Sequence, residues 1–227
     1  FFNHVTLAVT PERLCLGALD AHMWARDFED LNKNDKRKQK PIKEKESNRW
    51  LEGYRKLCDL SEQLPGTMLV SISDREGDIY ECFVEAACGE GGRRAEYIIR
   101  GCQDRRLPEK LEDGCYKKLM EEVSEKPVLG EVEFKLPKAE NRPSRIVIQS
   151  VRAGRVRLKP PYRKDERLPE VEINTVFVEE INPPDGEEPI TWLLLTSLPV
   201  DTFEQACLVV EYYLCRWQIE IYFKVLK

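Results

Sequence analysis

The chain has 227 residues, 41% of them hydrophobic and 34% charged, a balance that permits a packed core in one large domain. It contains no apolar run of the ~18 residues needed to span a bilayer and no signal-peptide pattern, so a cytoplasmic protein is expected. The net charge of −5 argues against a uniformly basic nucleic-acid binder. No two of the eight cysteines have zinc-knuckle spacing and only two histidines are present, which predicts free thiols in a reducing compartment.

The first part of the chain predicts a hairpin, a loop and a helix. Strands are predicted over 5–9 and 14–24, joined by a turn at 11–13. Residues 26–47 are highly charged and lack hydrophobic periodicity, which predicts a loop. From Ser47 onward, apolar residues at helical spacing predict a helix that ends before Pro65.

An α/β unit is predicted next. A strand over 68–73 ends on Asp74, a helix covers 77–88, and a strand over 96–99 ends on Arg100. Because a strand, a crossover helix and a second strand form a parallel pair, Asp74 and Arg100 are expected side by side at one sheet edge. That edge is where α/β sheets usually bind ligands.

The middle of the chain changes character. After a short helix over 107–125, alternating polarity predicts strands over 132–136, 145–151, 155–159, 171–179 and 190–197. The predicted organisation is thus an α/β core in 1–126, a β-rich insertion in 127–200 and a closing helix in 201–227. Between Lys135 and Arg167, eleven basic residues stand against three acidic ones. This stretch fits either a phosphate-binding surface or a solvated face whose charges have no specific role.

The C-terminal stretch predicts one long helix, because Asp201 and Glu204 have capping-box spacing and no Gly or Pro follows. An apolar stripe expected to face the core is formed by Val210, Leu214, Trp217, Ile221 and Val225. Beside the stripe, a sector about 60° wide contains Tyr213, Arg216, Glu220 and Lys227. A phenol, a guanidinium, a carboxylate and an ammonium in one row suit a site for phosphate and metal.

This spacing of Tyr213, Arg216, Glu220 and Lys227 resembles the Tyr-Arg-Glu-Lys motif of bacterial insertion-sequence-four-type DDE transposases. Supporting stretches follow in the family's chain order at 44–47, 73–79, 141–143, 180–184 and 192–197. The resemblance implies a ribonuclease-H-like mixed sheet with helices, interrupted by a β-rich insertion before the last helix. It also implies metal-dependent DNA cleavage and strand transfer at transposon ends, with a two-metal site for Mg²⁺, for which Mn²⁺ can substitute.

The resemblance assigns roles to individual residues. Asp74 and Glu220 correspond to the second and third acidic residues of the catalytic triad and would be metal ligands. The first acidic residue of the triad is expected on a strand ahead of residue 1, so the chain is expected to be a fragment that is inactive alone. Asp20 is a weaker candidate for that first residue, because its hairpin matches the two strands that follow the family's initial strand. DNA-binding roles are implied for Tyr213, Arg216, Lys227, Arg100, Trp192, Arg142, Arg145 and Lys159, with Trp192 stacking on a flipped base.

The implied partners are double-stranded DNA with terminal inverted repeats, target DNA and a second copy of the chain in a synaptic complex, in the bacterial nucleoid. Simpler roles stay open. Glu220 could only pair with Arg216 across a helical turn, Asp74 could cap the following helix, and Trp192 could be a core residue. Asp78 could pair with Arg75. The alternative functions are a non-catalytic DNA-binding remnant or truncated transposase inhibitor, and a nuclease without strand transfer.

Overall fold

The computed structural model describes residues 2–25, 42–89, 92–136, 143–163 and 166–226. Its strands are β1 (Phe2–Val9), β2 (Cys15–Trp24), β3 (Val70–Ser73), β4 (Glu96–Arg100), β5 (Arg106–Lys110), β6 (Tyr116–Lys118), β7 (Val128–Leu136), β8 (Arg145–Leu158), β9 (Val171–Glu180) and β10 (Thr191–Thr196). Its α-helices are α1 (Asn48–Gln63), α2 (Tyr80–Cys88), α3 (Leu119–Ser124), α4 (Phe203–Leu214) and α5 (Trp217–Leu226). None of these helices is both long and apolar enough to cross a membrane.

A six-stranded mixed sheet in the order β3-β4-β10-β9-β8-β7 organises the fold. β3 and β4 are parallel, as predicted, and Ser73 pairs with Ile99, so Asp74 and Arg100 lie at the same edge. The β-rich segment continues this sheet, because β10 pairs antiparallel with β4. The pairs β1-β2 and β5-β6 form two separate two-stranded sheets.

Both faces of the large sheet are covered, because successive strand residues point to opposite sides. On one face, Ile99 and Leu195 join a core cluster with residues of α1, α2 and α3. On the other, Ile98 and Leu194 pack with α4, whose Val209 is buried. A sheet covered on both sides explains why β4 and β10 have apolar residues in succession rather than in alternation.

The predicted helix over 107–125 is wrong in its first half. The segment forms the β5-β6 hairpin, and only α3 is helical. Gly114 has a φ of 81° and the Asp113 carboxylate accepts a hydrogen bond from the amide of Cys115 at 2.8 Å, which builds a tight turn. A chain reversal of this kind cannot lie inside a helix.

The predicted single closing helix is also wrong, because it breaks between α4 and α5. The amides of Cys215 and Arg216 bond to carbonyls three residues back, those of Tyr212 and Tyr213. At the break, Cys215 Sγ lies 3.8 Å from the carbonyl oxygen of Thr10 in the β1-β2 turn, a tertiary contact that local sequence does not encode. The helix start differs by one residue from the prediction, because the capping box is formed by Thr202 and Gln205 rather than by Asp201 and Glu204.

The break exposes the C-terminal half of the predicted apolar stripe. Val210 is buried, but Trp217 is 51% exposed and Val225 is 80% exposed. None of the residues of α5 is buried. The expectation that this half of the stripe faces the core is therefore wrong for the described residues.

Candidate functional site

Asp74 follows the last residue of β3 and begins a 3-10 turn over Arg75–Gly77. Its Oδ1 accepts a hydrogen bond from the amide of Glu76 at 2.9 Å, which fixes the carboxylate at the strand end. Its Oδ2 lies 3.9 Å from a guanidinium nitrogen of Arg216. Asp20, in contrast, lies on β2 and bonds to Lys56 of α1 at 2.8 Å.

Arg216 connects the sheet edge to the last helix. One of its nitrogens faces Asp74, and another donates to Glu220 Oε1 at 2.9 Å. The two carboxylates, distant in the sequence, therefore converge on one guanidinium whose side chain is only 19% exposed. The simpler roles are present at the same time, since Asp74 caps a turn and Glu220 pairs with Arg216 across one helical turn.

Tyr213 lies beneath this group. Its side chain is buried, and within the described residues its hydroxyl and the Nε of Arg216 have no hydrogen-bond partner. The guanidinium carbon of Arg216 lies 6.0 Å from the centre of the Tyr213 ring. A buried hydroxyl without a partner costs about 1–3 kcal/mol, so it is a ready donor to a ligand atom that reaches it.

Trp192 packs in the core beneath α4. Its ring centroid lies 5.8 Å from that of Tyr213 and 6.2 Å from that of Phe134. This placement agrees with the simpler role, a partly buried core tryptophan. Stacking of Trp192 on a flipped base stays a prediction.

Asp78 anchors the loop that follows Arg100. Its buried carboxylate accepts hydrogen bonds from the amides of Cys102 at 2.8 Å and Gln103 at 3.0 Å, and from Arg105 Nε at 3.1 Å. The expected pairing of Asp78 with Arg75 is therefore replaced by a pairing with Arg105. The sequence did contain a signal for this pairing. Asp78 and Arg105 each follow the end of one of two parallel strands, so both lie near the same edge of the sheet.

The other DNA-binding candidates have different surroundings. Arg100 forms no ion pair within the described ranges. Arg145 bonds to Glu180 at 3.1 Å and Glu187 at 3.3 Å, and the hydrogen bond with Glu180 is the main cause of its raised pKa. Lys159 Nζ lies 4.2 Å from the centre of the Tyr116 ring. Arg142 and Lys227 lie outside the described residues.

Acidic neighbours offset much of the predicted basic stretch. Arg155 and Arg157 of β8 lie 3.4 and 3.9 Å from Glu172 of β9. Further pairs join Arg152 to Glu179 and Arg163 to Glu81. This cross-strand pairing favours a solvated face of mixed charge over a continuous phosphate-binding strip.

Asp74 and Glu220 present carboxylate oxygens from separate elements, the ligand type that hard divalent cations prefer. The guanidinium of Arg216 places positive charge beside both carboxylates. Within the described ranges, no group of three or more His, Cys, Asp or Glu side chains could hold a metal ion.

No model of a known protein family matches this chain.

Proposed function

We propose that the chain is the catalytic core of a DDE transposase with a ribonuclease-H-like sheet, which cuts DNA at transposon ends and joins the 3′ end to target DNA. The observation that supports this proposal is the convergence of Asp74 and Glu220 on Arg216. The parallel pair β3-β4, with a β-rich segment preceding the last helices, is compatible with it. Its substrates are duplex DNA with terminal inverted repeats and target DNA, and its working form is a homodimer.

Asp74 and Glu220 would hold the divalent ions. When bound, two such ions activate the attacking water or 3′-hydroxyl and offset charge on the leaving oxygen. The ions would satisfy both carboxylates and leave Arg216 available to bind phosphate. A guanidinium is a two-pronged donor suited to that task.

Two further groups support phosphate binding at this edge. The Tyr213 hydroxyl is buried without a partner among the described residues, and can donate to a phosphate oxygen. Arg100 is the last residue of β4, at the edge that also bears Asp74, and it forms no ion pair within the described part of the chain. Both would position the DNA strand rather than take part in bond cleavage.

The second candidate is a DNA-binding remnant without catalysis. One observation favours it: the cap at Asp74 and the ion pair at Glu220 stabilise both carboxylates without a metal ion. A remnant would keep DNA binding and show no metal-dependent cleavage.

The test is cleavage of a duplex that carries the DNA flanking the coding sequence, with the full-length gene product and Mg²⁺. Glu220→Gln is expected to lower the cleavage rate by about 10²-fold or more, equivalent to about 2.7 kcal/mol of barrier. Glu211→Gln, an exposed glutamate of α4, is the matched control and should retain the full rate. Equal rates for the two variants would contradict the proposal, and metal-independent binding with no cleavage by the unaltered protein would favour the remnant.

A further inference from the structure

A group of cations near the β5-β6 hairpin has no acidic partner among the residues that the structure describes. Arg106, Lys110 and Lys159 form no salt bridge with any described residue, and they surround Tyr116. These four residues are called the Tyr116 cluster. They differ from the arginines of β8, whose charges are offset by β9.

Three strands bring the Tyr116 cluster together. Lys110 of β5 pairs with Tyr116 of β6, and its Nζ lies 5.5 Å from the ring centre. Lys159, just beyond β8, lies closer at 4.2 Å, and its amide donates to the carbonyl of Arg106 at 2.9 Å. The cluster is therefore built by tertiary contacts between β5, β6 and the end of β8.

The electrostatic environment of Tyr116 is positive. A hydrogen bond with Lys159 is the main cause of its lowered pKa, followed by the charge of that lysine, and Lys110 and Arg106 act in the same direction. A tyrosine that ionises more readily than usual reports a local excess of positive charge. Such an excess favours an anionic partner.

A neighbouring lysine shows the opposite arrangement. Lys117 also lies on β6, but its Nζ is 2.9 Å from both Glu122 and Glu125. Lys126 likewise contacts Glu122 at 3.0 Å. The region around the hairpin thus contains one lysine pair neutralised by glutamates and one cation group open to an external anion.

We propose that the Tyr116 cluster binds the phosphodiester backbone of double-stranded DNA, apart from the Asp74 and Glu220 carboxylates. This proposal rests on the proposed function for the identity of the polyanion. Two lysines and an arginine match a row of phosphates, and the phenol can donate to a backbone oxygen. Single-stranded nucleic acid is disfavoured, because Lys159 lies over the ring that would stack on a base.

The cluster is also connected to the candidate site. Arg105, which precedes Arg106, is buried and bonded to Asp78 in the turn that begins at Asp74. The amide of Leu119, just after β6, donates to the carbonyl of Arg105 at 2.8 Å. DNA bound at the cluster would therefore be held by a segment attached directly to the sheet edge of the site.

The test is the salt dependence of binding to a fluorescently labelled duplex of arbitrary sequence, measured by anisotropy in EDTA. Lys110→Gln with Lys159→Gln removes two cluster charges, and Lys117→Gln with Lys126→Gln is the control of equal net charge. Each lost phosphate contact lowers the slope of log K against log salt by about 0.9, so the cluster variant should lose about two units. The control should keep the slope of the unaltered protein.

Equal slopes for the two double variants would overturn the proposal. A loss of binding by the cluster variant that is seen only with single-stranded RNA of the same length would also overturn it. A second measurement does not depend on the folding of the lysine variants. Saturating duplex should raise the pKa of Tyr116. This pKa is measured from the absorbance of the phenolate, with Tyr116→Phe as the reference that lacks the signal. An unchanged pKa would contradict the proposal. If the cluster variant has a lower slope but the unaltered protein never cleaves DNA, the result would support this inference and count against the proposed function.

Discussion

Arg216 occupies the position between two carboxylates where a divalent ion is proposed to bind. It contacts Asp74 and Glu220, so it competes with the ion for both. Arg216→Gln is expected to tighten Mn²⁺ binding by about tenfold, equivalent to about 1.4 kcal/mol, because two carboxylates would then lack a nearby cation. Titration followed by the electron paramagnetic resonance of free Mn²⁺ measures this change.

The control for Arg216→Gln combines it with Glu220→Gln, which removes a proposed ligand and should abolish the gain in affinity. Weaker or unchanged Mn²⁺ binding by Arg216→Gln alone would show that the arginine is not a competitor. It would also favour a purely structural role for the pair between Arg216 and Glu220.

Simple periodicities predicted two local features of the candidate site. Asp74 was expected at a strand end, and the spacing of Arg216 and Glu220 placed them one helical turn apart. The Asp78 and Arg105 pair was missed, because its partners are separated by 27 positions and follow no repeat. Residue spacing also cannot show whether Trp192 faces the core or a ligand, since both need an aromatic side chain on an apolar strand.

Asp78 and Arg105 hold together the two turns that follow β3 and β4. Their side chains are 0% and 6% exposed. Asp78→Ala is expected to lower the free energy of unfolding by about 3–5 kcal/mol, because Arg105 would keep a buried charge without its partner. Urea denaturation measures this loss.

Asp59→Ala, at an exposed position of α1, is the comparison and should change stability by less than about 0.5 kcal/mol. Replacing both partners, as Asp78→Leu with Arg105→Met, should recover part of the loss, because neither charge remains buried. A double variant no more stable than Asp78→Ala would locate the effect in the lost amide contacts rather than in the unpaired arginine.

Elements with strong local patterns were predicted well from the sequence. The β1-β2 hairpin, α1 and the parallel pair β3-β4 all follow alternation, helical spacing or turn residues. The β5-β6 hairpin was missed because scattered apolar residues fit a short helix as well as short strands. The break after α4 was missed because neither Gly nor Pro marks it, and the contact of Cys215 with the hairpin turn is tertiary.

At the scale of the whole molecule, the β1-β2 hairpin is a separate sheet that packs against α1. It forms a sheet of its own, and an isolated two-stranded hairpin is at best marginally stable. His4 of β1 contacts Trp50 of α1 edge-on, with ring centroids 4.5 Å apart. Lys56 of α1 bonds to Asp20 of β2 at 2.8 Å. Docking on α1 therefore stabilises the hairpin.

The pKa of His4 is lowered, first by burial and then by the charge of Arg49; His22 adds a small effect in the same direction, while Asp20 and Glu76 oppose it. The docked state thus favours neutral His4, and protonation favours the undocked state. The contribution of His4 to docking is complete above its pKa in the unfolded chain, about 6.5. It is lost as the pH falls through the lower pKa that His4 has in the docked state. Hydrogen exchange of the β1 and β2 amides, corrected for intrinsic rates, should therefore show weaker protection at pH 5 than at pH 7.5.

The two histidines of the chain provide a matched comparison, because His4 and His22 face each other across the hairpin register. His4→Gln should flatten the pH dependence of protection, since no titrating group then lies against Trp50. His22→Gln should keep it, and the amides of β4 in the central sheet should stay protected in all variants because the hairpin belongs to another sheet. Loss of protection in β4 together with the hairpin would mean that acid unfolds the molecule as one unit, and that hairpin docking and the central sheet are a single cooperative structure.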